Sequence, residues 1–223
     1  MSGGRSARIL HGSRADRRRQ LVEHLIPVVE RELDAGRAFA ELTADELASA
    51  GGISRTTFYV YFEDMGALLR AVTQGVQADF VAVVRRWAQA PPGLTRQELR
   101  VILGDVVAAY RRHEALLGAV MDACGYDLGV REAFFAMVGE IEGDLARHLR
   151  DGRAAGALAA DLDPDATAAW LIAMFERGLH LRVRGSTDAD AERFTEAVTR
   201  LVFQGVYAGG PASGPSPAQG RGT

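Results

Sequence analysis

An all-α fold of about nine helices is predicted by three observations. Apolar residues recur at helical spacing through most of the chain. No short stretch alternates as a half-buried strand does. Capping residues stand where the periodic stretches begin. The chain has 223 residues, 48% hydrophobic and 25% charged, enough for a sizeable soluble core. Its single cysteine, Cys124, excludes an intrachain disulfide and a multi-cysteine zinc site. The longest apolar runs fall far short of the roughly 20 residues of a membrane helix, and the N-terminus lacks the apolar core of a secretory signal. A cytoplasmic protein with no membrane partner is therefore expected.

The first helix is expected over 16–35, where Leu21, Leu25, Val28, Val29 and Leu33 share a face. Pro27 should bend it or delay its start, and Gly36 should end it. Ala38, Phe39 and Leu42 form an apolar connector. Thr43, three residues before Glu46, makes a capping box that opens a second helix. Ser54 opens a third. A fourth, over 66–90, carries Leu68, Leu69, Val72, Val76, Phe80, Val83, Val84 and Trp87 and stops at Pro91-Pro92. Thr95 and Glu98 form a second capping box for a helix over 95–112. Phe134, Met137, Val138, Ile141 and Leu145 stay in register over 127–150. Pro164 suits the start of a segment reaching 166–184, and 189–207 follows. Residues 209–223 hold no large apolar side chain and are expected to be disordered, as is a basic arm over 1–15.

The charge is unevenly placed. Residues 1–20 carry +5, residues 21–62 carry −4 and residues 63–223 carry −4, and every basic residue is Arg. The choice of Arg over Lys fits a GC-rich genome, but the clustering does not follow from that. A basic arm on an acidic protein points to a polyanion partner, with Arg17 and Arg18 as phosphate contacts.

The segment 43–62, TADELASAGGISRTTFYVYF, reads as two short helices joined by a tight turn. Thr43 caps the first and is itself a candidate DNA contact. Ala48 is small where a second helix must cross closely. Gly52 supplies the positive φ of the turn. Ile53 fills the space beneath it, Ser54 caps the second helix, and Phe58 packs back on the first. That is the steric pattern of a helix-turn-helix. The second helix presents Ser54, Arg55, Thr56, Thr57, Tyr59 and Tyr61, short hydroxyls, a guanidinium and phenols suited to base edges and phosphates. No acid lies between Glu46 and Glu63.

This stretch resembles the DNA-binding domain of TetR-family transcriptional regulators. Ile53, Ser54, Thr57, Phe58, Tyr59, Tyr61 and Phe62 match the family's recognition-helix pattern, after one amphipathic helix and an apolar connector and before Leu68 and Leu69. The resemblance implies a three-helix DNA-binding domain over 16–64. It implies a helical ligand-binding and dimerisation bundle over 65–208, flanked by the arm at 1–15 and the tail at 209–223. It further implies a homodimer on a palindromic double-stranded DNA operator, most often as a repressor. One departure stands out. Where the family often has a Ser/Asn-Lys-Glu run whose Lys reaches a phosphate, this chain has Glu63-Asp64-Met65-Gly66. Asp64 can cap the fourth helix, and the basic arm can supply the missing phosphate contact. Met174-Phe175-Glu176-Arg177 is similar to the EthR-like subgroup, which implies an apolar ligand in a tunnel within each subunit.

Three apolar stripes are candidates for the lining of such a site: Leu99, Ile102, Val106 and Tyr110; Phe134, Val138, Ile141 and Leu145; and Ile172, Phe175 and Leu179. Simple core packing is the plainer reading of each. With Tyr110, His180 and Cys124 as the few polar groups nearby, the expected effector is small and hydrophobic. Trp170, Met174, Leu181, Phe194, Val198, Leu201 and Val202 are candidates for a dimer contact through the last two helices, with packing inside the subunit's own core the equal alternative for each. No catalytic motif of the hydrolase, zincin, dinucleotide-binding or P-loop kinds is present. The i, i+4 pairs Asp144/His148 and Glu176/His180 read as salt-bridged or surface pairs rather than metal sites, and Cys124 as a buried structural thiol. No metal, cofactor or catalytic residue is therefore expected. A helical scaffold for a protein partner is the alternative.

Overall fold

The computed structural model describes residues 12–208. Among them run nine α-helices and no strand. These are α1 (Arg14–Asp34), α2 (Ala44–Ala50), α3 (Arg55–Tyr61), α4 (Met65–Ala88), α5 (Arg96–Arg112), α6 (Glu114–Ala123), α7 (Leu128–Ala154), α8 (Pro164–Gly178) and α9 (Asp188–Val202). A 3-10 turn at Phe39–Glu41 leads into α2, and π-helical turns at Leu179–Val183 and Phe203–Tyr207 prolong α8 and α9. The disorder expected for 209–223 and for most of the basic arm falls outside the described residues, as do the side chains of Val76 and Phe80.

The caps explain the boundaries. The Ser13 hydroxyl accepts from the Asp16 amide at 3.2 Å and the Asp16 carboxylate accepts from the Ser13 amide at 3.1 Å. This reciprocal box starts α1 two residues before the expected Asp16, which is itself the third residue of the helix. Pro27 lies inside α1 without ending it, forfeiting one hydrogen bond to the turn before it. Thr43 and Thr95 form the same reciprocal box at the starts of α2 and α5, while Asp64 and Asp127 cap α4 and α7 by accepting from the Ala67 and Val130 amides, each cap being worth about 1 kcal/mol.

One helix escapes the pattern of apolar stripes and caps. Helix α6 follows α5 with only His113 between them, and His113 gives it no side-chain cap. No turn signal separates the two, so the spacing alone does not resolve it. The joint is fixed from outside instead. His113 Nδ1 lies 2.6 Å from Glu30 Oε1 of α1.

Two apolar clusters make the core. The first gathers α1, α2, α3 and the start of α4 around Leu25, Leu47, Phe58, Phe62 and Leu68, and takes in Leu116, Ala119 and Val120 of α6 and Val130 and Phe134 of α7. The second joins the end of α4 with α5, α7, α8 and α9 around Trp87, Leu99, Leu103, Leu145, Leu149, Phe175 and Val198. Each fully buried leucine contributes roughly 1.5–3 kcal/mol. Leu117, Met137 and Val138 pack against both clusters. Arg70 of α4 pairs with Asp127, the cap of α7, at 3.2 Å.

Candidate nucleic-acid interface and interior cavity

The turn between α2 and α3 has the geometry of a helix-turn-helix. Gly52 stands at φ +64°, a left-handed conformation that side chains rarely adopt. The Ile53 amide donates to the Ala48 carbonyl at 2.9 Å, and the Ser54 hydroxyl accepts from the Thr57 amide at 3.0 Å. Phe58 and Phe62 are fully buried beneath α3 with ring centroids 5.3 Å apart. Their burial turns the other face outward. Ser54, Arg55, Thr56 and Tyr59 are exposed, while Thr57 and Tyr61 are half-buried.

Not all of these side chains are free. The Thr43 hydroxyl donates to the Glu46 carboxylate at 2.7 Å and accepts from its amide. Ser54 and Thr57 share a hydroxyl–hydroxyl hydrogen bond of 2.8 Å. Arg55 donates to the Asp45 carboxylate at 2.8 Å and rests 5.6 Å from the Tyr59 ring centroid. Asp45 is a partner that sequence spacing does not reveal, because only the crossing of α2 and α3 brings it within reach. Arg14, which the sequence left unassigned, donates to the Val60 carbonyl at 3.0 Å, tying α1 to the end of α3. Arg18 lies 5.6 Å over the Phe62 ring, and with Arg14 and Tyr61 it lines a shallow cleft beside α3. Arg17 is half-buried, its Nε sealed from solvent. Asp64 accepts from the Ala67 amide at 2.6 Å and stands 3.9 Å from Arg70, so its charge is answered by a helix N-terminus and a guanidinium.

A cavity of about 90 Å³ lies where the two clusters meet. Val106, Tyr110, Phe134, Val138, Ile141, Ile172, Phe175 and Leu179 line it. Leu99, Ile102 and Leu145, also expected there, do not. Leu99 and Leu145 are packed at other levels of the second cluster, and Ile102 is half-buried against it. Sequence spacing missed Trp87, Leu103, Met137, and Leu117 and Met121 of α6. Val84, Glu176 and His180 complete the wall. Burial pushes the Tyr110 phenol up to about 12, so it stays protonated; nearby Arg184 only partly opposes this. Cys124 is half-buried, its thiol pushed up by burial, and lies outside the cavity lining.

Two further expectations need correction. His148 is neither salt-bridged nor at the surface. It is buried, with Nε2 3.1 Å from the Tyr207 hydroxyl, which accepts from Trp87 Nε1 at 2.8 Å. Asp144 instead pairs with Arg85 and Arg147. Among the dimer candidates, Val198 and Val202 are buried and Met174 and Phe194 pack on the core, whereas Trp170 (77% exposed), Leu181 and Leu201 face outward. No helix among the described residues is long and apolar enough to cross a membrane.

Two short helices joined by a tight left-handed turn, the second with its polar face outward, define the class, a helix-turn-helix DNA-binding module. Residues 31–72 match the family model described as "Bacterial regulatory proteins, tetR family". Over 58 residues the chain is 38% identical to MftR of Mycobacterium tuberculosis, assigned by its name to the regulation of mycofactocin biosynthesis. That match covers 26% of this chain and 29% of the relative. The fold is similar to that of PfmR from Thermus thermophilus, a TetR-family regulator, with TM-score 0.65 and 17% identity over 81% of this chain and 97% of that one. It is also similar to the fatty acid degradation regulator FadR of Bacillus halodurans, with TM-score 0.66 and 14% identity over 82% and 98%. Residues 31–72 thus carry the sequence of the TetR family's DNA-binding domain, and the described residues are similar in fold to a solved TetR-family regulator.

Proposed function

We propose that the protein is a repressor that binds a palindromic operator as a homodimer and leaves it when a small hydrophobic effector binds. The observation that carries this reading is the position of α6. One face, Leu116 and Val120, packs in the cluster beneath the helix-turn-helix, and the other, Leu117 and Met121, lines the cavity. A molecule entering the cavity must press on the helix that supports α1. Arg55, Thr56 and Tyr59 supply base and phosphate contacts, and Arg14, Arg17 and Arg18 neutralise phosphates alongside. Trp170, Leu181 and Leu201 supply an apolar contact between copies, and a two-fold pair of heads reads paired half-sites.

Release is a population shift. The effector favours a spacing of the two heads that no longer fits successive major grooves. A roughly 100-fold difference in affinity between the two states, about 2.7 kcal/mol, lowers operator occupancy substantially.

The test is fluorescence anisotropy on DNA from upstream of the protein's own gene, at several salt concentrations and against a scrambled duplex. Specific binding that weakens with salt is expected, with Arg55→Ala and Tyr59→Ala abolishing the preference. Failure to bind any duplex at low salt sinks the reading and favours a scaffold for a protein partner.

A further inference from the structure

Two residues of the cavity wall hold buried polar atoms with no hydrogen-bond partner among the described residues, set behind a lining that is almost wholly apolar. Tyr110 is 6% exposed, and its hydroxyl has no hydrogen-bond partner among the described residues. His180 Nδ1 is likewise sealed from solvent without a partner. They come from different elements, α5 and the π-helical turn after α8, yet both line the same cavity. Buried polar groups are normally satisfied, and exceptions call for a reason. The rest of the wall is aromatic and aliphatic, with the rings of Trp87, Phe134 and Phe175 dominant.

Resting on the effector reading above, we propose that the effector is an uncharged apolar molecule bearing a carbonyl or hydroxyl oxygen, which Tyr110 and His180 bind. The phenol donates to that oxygen. His180 Nδ1 donates to it as well, or accepts from it when it is a hydroxyl, according to the tautomer. Charge is disfavoured on both sides. A carboxylate would lose its hydration to a wall that is almost wholly hydrocarbon, and Arg184, the cation beside Tyr110, already faces Asp122 at 4.0 Å. An ammonium would surrender its hydration to a wall of hydrocarbon. At about 90 Å³ the cavity is smaller than the ~150 Å³ apolar void that admits benzene. Entry therefore displaces side chains, for which the unbranched Met121 and Met137 are well suited.

Four probes of one shape separate the possibilities: acetophenone, cumene, benzoate and benzamidinium, titrated into the full chain by ligand-observed NMR. Acetophenone is expected to bind tightest. Tyr110→Phe should weaken it about tenfold, the loss of one hydrogen bond, and leave cumene unchanged. His180→Leu should weaken acetophenone in the same way. Tyr110→Phe should also melt no lower than the wild type, since an unsatisfied buried hydroxyl is lost. Cumene binding as tightly as acetophenone, or indifference of acetophenone to both substitutions, overturns the assignment of the polar group while the effector reading stands. Tighter binding of benzoate or benzamidinium overturns the uncharged class. A melting temperature lowered by Tyr110→Phe reveals a hidden partner for the hydroxyl and overturns the proposal. If none of the four binds, the proposal falls together with the effector reading.

Discussion

Two side chains carry consequences larger than their size. Arg55 is held by Asp45 in the free protein, so under the proposed function DNA would compete with a carboxylate for that guanidinium. The pair is exposed on both sides, where such contacts contribute little to stability. Asp45→Ala should therefore leave the melting temperature within a degree or two and tighten operator binding several-fold, with a steeper salt dependence. Unchanged affinity in an anisotropy titration would falsify the competition. His148 titrates in the opposite sense from a surface histidine. Burial holds it below its ordinary value, partly opposed by Asp151 and a hydrogen bond to the Ala88 backbone. With Trp87 donating to the Tyr207 oxygen, the Tyr207 proton points at a neutral His148 Nε2. Protonation would set two donors against one oxygen. The folded state thus binds fewer protons than the unfolded state. The stability from neutral His148 is whole above the ordinary histidine value near 6.5 and is lost as pH falls from there through the depressed folded value. The melting temperature of the wild type should drop more between pH 7.5 and 5.5 than that of His148→Gln, as calorimetry would measure.

At the scale of elements, the two short helices of the DNA-binding module depend on their caps and turn. Neither α2 nor α3 exceeds seven residues, too few to be stable in isolation. Gly52→Ala places a Cβ at φ +64°, at a cost of roughly 1–2 kcal/mol. Ser54→Ala removes the cap of α3 for about 1 kcal/mol. Both should lower thermal stability, and Gly52→Ala should also weaken DNA binding by misaiming α3. These elements were legible in the sequence because each has a local signature: Thr43 with Glu46, Gly52, Ser54. Helix α6 was not, because an uncapped helix abutting its neighbour leaves no local mark. The cavity lining was legible in direction but not in extent. Leu99 precedes Val106 by seven residues and shares its face, yet it stands roughly 10 Å further along the axis. Leu145 is likewise one turn beyond Ile141. Periodicity tells which way a side chain points, whereas the ends of a void are set by whatever packs above and below it. Asp45 and Arg14 show the same limit at the DNA surface, since their partners lie ten and 46 residues away in the chain.

For the whole molecule, the proposed homodimer rests on the outward side chains of the last two helices and of the turn after α8. Trp170, Leu181 and Leu201 are large apolar side chains, each more than half exposed. Replacing Trp170 and Leu201 together by Glu and Arg should yield a folded monomer in analytical ultracentrifugation. Operator affinity should then drop by more than 100-fold, because one head reads only a half-site. A dimer that survives the double substitution would place the contact elsewhere.

The seam occupied by α6 also governs how the molecule comes apart. The cluster beneath the helix-turn-helix is completed by Leu116, Val120, Val130 and Phe134, residues far along the chain from the helices they support. A fragment ending near Asp64 would leave that cluster open to water and should not hold its structure. In the intact chain neither cluster can melt first without stripping the other, so scanning calorimetry should record one cooperative transition. Any molecule that lodges at the seam should then raise the temperature at which the entire protein unfolds, and protect amides of α1 and α6 from exchange together.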